Sequence, residues 1–432
     1  MVSDIAGGSA RKASATGGDA RAPSSRSLSG LDGVNFLMAD VQGGVGPYLS
    51  VFLAGSRGWE SGPIGIAMAA SSVAGAICQV PAGLLVDATR WKRLLIVLSA
   101  LMVGLGCLLI VWFPGFWPVL TAQVLLGSTS AILPPAVAAL SLGIVGRRLM
   151  PTRISRNECF NHAGTFLAAV LAGAFGHYLG NNWIFYLVCV FAVASAAVVM
   201  LINPDEVDHE LARGGEDPGN SSERVSFRSL LGRRDVGVFV CSVILFHFGN
   251  AAMLPFAGQV LAKEHPGSDT IALSACIISA QLVMVGVSWA VGRAMKAGIG
   301  RKPIFLVALA TLPVRGVLFS FTTDPYGVVA IQLLDGLASG IFGVIAIIIA
   351  ADLTRGTGRF NLMQGVVALA VGVGASLSNV IGGYVVQGFG YPVGFLGLAA
   401  IALCALMFFL ILMPETGHDD TADSQAPAAA PS

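Results

Sequence analysis

Four ionisable side chains stand inside long apolar stretches of this 432-residue sequence, where they could carry a proton or an ion: Asp40, Glu158, Arg315 and Asp335. Ionised groups are costly in hydrocarbon, so such residues usually line a pathway or pair with each other. Asp40 stands about mid-stretch, on a helical face with small residues that allow close backbone approach or local unwinding. We predict that Asp40 binds a coupling proton or a cation, and we rank a structural hydrogen-bond anchor second.

Neutral polar side chains recur in the same apolar stretches and extend the predicted pathway. They are Gln42, Gln123, His247, Asn250, Gln259 and Gln332. Of these, His247, Asn250 and Gln259 fall on one broad helical face. Imidazole titrates near neutral pH, so His247 suits a proton-linked step. A neutral histidine bonded to a backbone carbonyl fits the sequence equally well.

Arg315 and Asp335 each stand roughly ten residues from the end of consecutive apolar stretches. If these stretches form neighbouring antiparallel helices, the two side chains can meet as an ion pair that neutralises both charges. We rank this structural pairing above the binding of an anionic substrate.

Glu158, Asn161 and His162 have the spacing i, i+3 and i+4, which places them on one face of a helix. We predict a role in a gate or in a network that supports it. Hydrogen bonding between helices near the membrane surface is the alternative, and we rank it slightly higher.

The charge content shows what must position these residues. Only 11% of the residues are charged, against about 25% in soluble domains, and about half of those charges lie in three polar segments. We therefore predict a disordered cytoplasmic tail at 1–30, apolar bundles at 31–202 and 235–413, a cytoplasmic linker at 203–234 and a second tail at 414–432.

Each bundle contains six apolar runs, numbered here as spans 1–12, and about 20 apolar residues suffice to cross a bilayer. In the first half the spans cover 33–54, 62–87, 94–112, 117–145, 158–180 and 183–202. In the second they cover 236–262, 270–295, 303–322, 326–351, 362–388 and 392–413. With a cytoplasmic N-terminus, 22 of the 25 Lys and Arg residues fall inside. The positive-inside rule thus predicts a multi-pass inner-membrane protein with both termini in the cytoplasm.

The two halves match each other at an offset of 208–209 residues. The matched pairs are Pro47 with Pro255, Gly83 with Gly292, Arg93 with Lys302, and Gln123 with Gln332. We infer a duplicated unit, and hence an all-α polytopic membrane protein with two pseudo-symmetric six-helix bundles.

The segment Gly83-Leu-Leu-Val-Asp87-Ala-Thr-Arg-Trp-Lys92-Arg93 resembles the helix 2–3 signature of the major facilitator superfamily. The resemblance covers the whole chain and implies two bundles around a central cavity lined by spans 1, 4, 7 and 10. It also implies that Gly83, Asp87, Lys92 and Arg93 act in gating, with Asp87 accepting hydrogen bonds from the start of span 11. We add Glu158, Asn161, His162 and Asp352 to the predicted gate.

These features predict a secondary transporter that works by alternating access, with proton-coupled export of a small organic compound as the first choice. The alternatives are transport of a metal chelate, siderophore or cation, and a non-transporting sensor on the same fold. We expect a monomer in a lipid bilayer, with a small-molecule substrate and protons as partners. We expect no cofactor and no enzymatic activity, because the chain lacks the GxxxxGK[ST], GxSxG and HExxH motifs. We expect no resident metal, because the cysteines form no CxxC pair or cluster with histidine, and no nucleic acid, because the net charge is only +1 and the basic residues are dispersed.

Overall fold

A computed structural model describes residues 23–43, 45–209, 211–213, 232–355, 357 and 359–416. The side chains of residues 40–43, 45, 147, 148, 151, 213 and 361 lie outside this description. The described part is helical and contains no strand. Eleven of its helices are long and apolar enough to cross a membrane, which confirms the predicted all-α polytopic fold.

The helices follow the predicted spans closely. In the first half they are Ser25–Gly43 and Val45–Val51 with the π-helical turn Phe52–Ser56 (span 1), Ser61–Ala88 (span 2), Lys92–Trp112 (span 3), Phe116–Ser130 (span 4), Leu133–Leu179 (spans 4 and 5) and Asn182–Val199 (span 6). In the second half they are Arg234–Asn250 and Met253–Glu264 (span 7), Asp269–Lys296 (span 8), Arg301–Phe319 (span 9), Pro325–Leu353 (span 10), Phe360–Phe389 (span 11) and Tyr391–Leu412 (span 12).

The second part of span 4 and the whole of span 5 lie in the helical run Leu133–Leu179, which one glycine divides. Gly146 has φ = 75° inside Leu133–Leu179, a left-handed conformation that glycine adopts without the cost of a Cβ clash. The chain therefore reverses at the position where the sequence ends span 4 at residue 145.

The first helix begins at Ser25, six residues before the predicted boundary of the N-terminal tail at residue 31. Ser24 caps this helix, because its Oγ accepts a hydrogen bond from the Ser27 N–H at 3.2 Å. The Ser24 N–H also donates to Glu206 Oε2 at 3.0 Å and thereby lowers the pKa of that carboxyl. The polar composition did not predict this early start of the helix, because the Ser24 cap and the bond to Glu206 of the linker hold this part of the chain in place. Residues 1–22 of the predicted tail lie outside the described part.

Each half has its own hydrophobic core. The first core contains Phe52 and Phe185, whose rings meet edge to face with centroids 4.9 Å apart. Phe246, Phe305 and Phe409 lie in the core of the second half. The side of the bundle that carries the linker 203–233 is called the linker side below, and the other end is called the opposite side.

Candidate functional site

Spans 2 and 11 bring the halves into close contact toward the opposite side. A Cβ atom on Gly65 would overlap the carbonyl oxygen of Asn379, and one on Gly383 would lie 2.6 Å from the Ser61 carbonyl oxygen. Only glycine allows two helix backbones to approach this closely. The contact continues to the middle of both spans, where a Cβ on Gly372 would lie 3.2 Å from the Ala76 Cβ. Further along span 2, the built Cβ of Gly83 meets nothing within 4 Å.

Hydrogen bonds reinforce this contact between the two halves at the opposite side, which is called the seal below. Ser61 Oγ donates to Gln259 Oε1 at 2.7 Å, and the Tyr391 hydroxyl donates to the same oxygen at 3.3 Å. The hydroxyls of Tyr48 and Ser274 lie 2.6 Å apart. Gln259, which the sequence placed on the pathway with His247 and Asn250, therefore joins the two halves at the opposite side.

Spans 5 and 8 touch toward the opposite side and present exposed faces toward the linker side. A Cβ on Gly173 would lie 2.9 Å from the Ser274 Cβ. His162 and Val285 stand eleven residues from these two positions, three helical turns nearer the linker side and on the same faces within about 20°. Both are exposed. The faces of spans 5 and 8 that touch at the opposite side are thus exposed where they continue toward the linker side.

Glu158 and His162 belong to this open face of span 5. Both side chains are exposed and neither makes a hydrogen bond or ion pair within the described part of the chain. Asn161 is half-buried, and its backbone carbonyl accepts a bond from the Thr165 hydroxyl at 3.1 Å. The side-chain network between helices that the sequence favoured for Glu158 and His162 is not formed in this arrangement.

A buried polar cluster lies between spans 7, 9 and 10 and consists of Asn250, Arg315, Gln332 and Asp335; it is called the Arg315 cluster below. Arg315 is 1% exposed, and its Nη1 lies 2.9 Å from Asp335 Oδ1. Nη1 also donates to Asn250 Oδ1, and Nη2 donates to Gln332 Oε1 at 2.8 Å. Gln332 Nε2 donates to Asp335 Oδ2 at 3.0 Å. The cluster is electrically neutral as a whole, and the Asp335 side chain remains 18% exposed.

The Arg315 cluster adjoins a break in span 7. Asn250 is the last residue of Arg234–Asn250, and the next helix starts at Met253. The backbone N–H of Ala252, within the break, donates to the Ser378 Oγ at 3.0 Å, so a side chain of span 11 satisfies it. Ala251 and Ala252 keep right-handed helical dihedral angles (φ = −63°, ψ = −34° and φ = −85°, ψ = −10°), so the interruption is local and span 7 is not unwound here.

His247 lies one turn before the break and is packed among aromatic rings. Its ring is 4.7 Å from the Phe342 ring in an edge-to-face arrangement, and its Nδ1 lies 3.1 Å from the Val243 carbonyl oxygen. This is the backbone-bonded histidine that the sequence left open as one of two possibilities.

Two predicted pathway residues of span 1, Asp40 and Gln42, lie on Ser25–Gly43, and their side chains are outside the described part. Gln123 of span 4 is 5% exposed, and its Nε2 has no hydrogen-bond partner among the described residues. No group of three or more His, Cys, Asp or Glu that could hold a metal ion occurs in the described part.

The remaining predicted gate residues lie at the linker side. Asp87 is exposed and has no hydrogen-bond partner in the described part of the chain, so the predicted contact with the start of span 11 is not made. The Lys92 Nζ donates to the Thr89 carbonyl at 2.9 Å, and Arg93 donates to the Ile202 carbonyl. Asp352 Oδ2 lies 3.3 Å from Arg301 Nε. In each of these three contacts, both residues belong to the same half of the protein, so none of these contacts joins the two halves.

One ionic network was missed by sequence reasoning. Asp32 accepts bonds from Arg153 Nη2 and Arg156 Nη2, both at 2.7 Å, and Arg153 Nε donates to Asn157 Oδ1 at 2.6 Å. Arg153 is only 4% exposed. The arginines were counted only as topological charge, and Asp32 was given no role. Their i, i+3 and i, i+4 spacing on span 5 was the available signal.

This architecture defines a class: a polytopic α-helical membrane protein whose two halves meet on one side and enclose buried polar groups. A family model described as Major Facilitator Superfamily matches residues 31–312 and 239–431. The chain belongs to the Major Facilitator Superfamily.

Relatives and solved structures agree with this assignment. Two uncharacterized MFS-type transporters of Mycobacterium tuberculosis, MT2531 of strain CDC 1551 and Rv2456c of strain H37Rv, are each 41% identical over 392 residues, covering 90% of this chain and 94% of theirs. The fold is similar to a point mutant of the nucleoside transporter NupG, with a TM-score of 0.74 and 14% identity over 90% of this chain and 100% of that one. A POT family transporter in complex with a thioalcohol-conjugated peptide has a TM-score of 0.70 and 12% identity, over 89% and 96%.

Proposed function

We propose that this protein is a proton-coupled secondary transporter that exports a small organic compound by alternating access. Membership of the Major Facilitator Superfamily indicates secondary transport. The observation that supports the mechanism most directly is the one-sided seal, with Gly173 against Ser274 and exposed His162 and Val285 three turns away. A membrane domain with such paired faces can close the second contact by opening the first.

The linker side is proposed to face the cytoplasm of the cell, with the protein in the inner membrane. The support is the distribution of Lys and Arg, since only Arg57 and Lys263 fall on the opposite side. Reporter fusions at the two termini test this orientation, and activity of a periplasmic reporter at either terminus would contradict it.

The gate on the linker side is proposed to use the span 5 face that bears Glu158 and His162. When the halves rock, His162 moves toward Val285 by continuing the register that joins Gly173 to Ser274. Asn161 supports this face, while Gly83, Asp87, Lys92, Arg93 and Asp352 border the same opening.

Asp40 is proposed to carry the coupling proton, and Asp335 is proposed to hold Arg315. Asp335 is already neutralised by a buried guanidinium at 2.9 Å, and losing its charge would leave that guanidinium unpaired. A carboxylate that must change its protonation state during each cycle is better placed where no such penalty arises. Substrate is proposed to bind beside the break in span 7, near His247 and the Arg315 cluster.

The test is transport in proteoliposomes with an imposed pH gradient, using a panel of organic compounds. Asp40→Asn is expected to abolish the dependence of transport on the pH gradient while exchange of substrate across the membrane persists. The matched control is Asp205→Asn, which removes a carboxylate from the exposed linker and should leave both activities unchanged. Full gradient-driven transport by Asp40→Asn would show that another group carries the proton.

A further inference from the structure

A cavity of about 460 Å³ opens on the linker side of the first half. It lies between the start of span 3, the ends of spans 4 and 6, and the linker. Arg90, Arg93 and His209 provide its polar lining, and Leu94, Leu140 and Met200 contribute apolar surface. The transport pathway between the halves does not include this cavity, since all of these residues belong to the first half or to the linker.

The charge of the cavity favours an anion. No Asp or Glu is among its lining residues. Arg90 is exposed and makes no hydrogen bond or ion pair within the described part of the chain. Arg93 is fixed at the edge of the cavity by bonds to the Ile202 carbonyl and, at 3.3 Å, to the Met200 sulfur. Guanidinium groups match phosphate oxygens in both charge and geometry.

The cavity also lies at the level where the membrane begins. Trp91, which lines it, is 69% exposed directly before the first turn of span 3, and tryptophan is enriched at membrane–water interfaces. A ligand bound here would therefore have its charged part among the arginines and its apolar part in the bilayer.

Two exposed apolar stripes run from the cavity into the membrane. On span 3 the stripe contains Leu94, Leu98, Leu101 and Leu105, and on span 6 it contains Met200, Val193 and Val190. The stripes cover 12 and 11 residues, and their end residues are therefore about 16 Å apart at a rise of roughly 1.5 Å per residue. This is about half of a 30 Å hydrocarbon core, which is the depth of one leaflet.

We propose that this cavity binds the phosphate headgroup of an anionic phospholipid from the leaflet on the linker side. The phosphate lies between Arg90 and Arg93, the glycerol region contacts Trp91, and the acyl chains follow the two stripes. The site does not depend on which solute the protein transports.

The second half has a related cavity at the equivalent place, but that cavity contains a carboxylate. We therefore assign the site to the first half. That cavity has a volume of about 590 Å³ and is lined by Lys302, the counterpart of Arg93, and by the end of span 12. It also contains Asp235, whose Oδ2 lies 2.5 Å from Arg233 Nη2. The duplication thus supplies a basic cavity in each half, and only the first lacks a carboxylate.

Quenching of Trp91 fluorescence by brominated lipids tests the proposal. The other five tryptophans are replaced by Phe, and the protein is placed in phosphatidylcholine nanodiscs that contain a small fraction of brominated phosphatidylglycerol or brominated phosphatidylcholine. We expect stronger quenching by the anionic lipid. Arg90→Ala should reduce this preference roughly fivefold, which corresponds to about 1 kcal/mol for one basic residue at the membrane surface.

Three controls make the result specific. Arg26→Ala removes an exposed arginine from the same side but outside the cavity and should keep the preference. Arg90→Lys should keep most of it. A chain that retains only Trp289, which is also exposed and next to an arginine, should show no preference. Equal quenching of Trp91 by the two lipids, or an unchanged preference in Arg90→Ala, contradicts the proposal.

A second measurement avoids the tryptophan substitutions. In native mass spectrometry, the otherwise unmodified protein should retain phosphatidylglycerol more strongly than phosphatidylcholine. In Arg90→Ala, the ratio of retained phosphatidylglycerol to retained phosphatidylcholine should fall about fivefold. Retention that is the same for both lipids overturns the assignment even if the single-tryptophan chain does not fold.

Discussion

The ion pair between Arg315 and Asp335 gives the sharpest test of how buried charge is balanced in this membrane domain. Asp335→Asn preserves the size of the side chain and removes its charge. Arg315, which is 1% exposed, would then be a buried cation whose remaining partners are the neutral amides of Asn250 and Gln332. Removing one partner of a buried pair costs about 3–5 kcal/mol, because the other charge is left uncompensated. We expect a loss of unfolding free energy in that range.

Unfolding in mixed micelles titrated with sodium dodecyl sulfate measures this loss. Cys107 and Cys276 are fully buried, so their reaction with a thiol reagent follows global unfolding when the other five cysteines are replaced by serine. The matched control is Asp235→Asn. Its partner Arg233 is 44% exposed, and an exposed pair contributes at most about 1 kcal/mol.

A double variant separates the pair from the individual side chains. Arg315→Met combined with Asp335→Asn removes both charges, so it should be more stable than Asp335→Asn alone, with a coupling energy of at least about 2 kcal/mol. Should Asp335→Asn cost less than about 1 kcal/mol, Arg315 is neutralised or hydrated in another way. The proposed holding role of Asp335 would then be wrong.

Two further substitutions have defined outcomes. Gly65→Ala places a methyl group against span 11, an overpacking cost of roughly 1–3 kcal/mol that should shift molecules away from the linker-open state and slow maleimide labelling of a cysteine at His162. Gly286→Ala, with open space around its Cβ, should leave that rate unchanged. Asp32→Asn should cost about 3–5 kcal/mol of unfolding free energy in the same micelle titration, because Arg153 is 4% exposed and loses its counter-charge. A loss near zero would mean that Asp32 does not balance that arginine.

The spans could be predicted from the sequence because bilayer thickness sets their length and each half repeats the same order. The pair of Arg315 and Asp335 was also accessible, since two isolated opposite charges on consecutive spans have few other partners. The bond between Asn250 and Arg315 could not be predicted from the sequence, because contacts between spans 7 and 9 depend on tertiary packing.

Other contacts could not be predicted from the sequence for identifiable physical reasons. The contacts of Gln259 with Ser61 and Tyr391 were not predicted, because they depend on how distant parts of the chain pack together. The predicted contact of Asp87 with span 11 is not made within the described part of the chain, and we propose that it forms when the linker side closes. A sequence specifies both states of a transporter, whereas one structure shows one of them, so a gate residue can be assigned correctly and still have no partner.

Reciprocal cross-linking of two cysteine pairs tests alternating access most directly. In a chain whose seven native cysteines are replaced, one pair substitutes Asn181 and Thr270, whose side chains are 2.7 Å apart at the opposite side. The other pair substitutes His162 and Val285 at the linker side. We expect each pair to be linked by a short bifunctional thiol reagent in native membranes, and linkage of either pair to prevent linkage of the other. Formation of both links in one molecule would contradict the account.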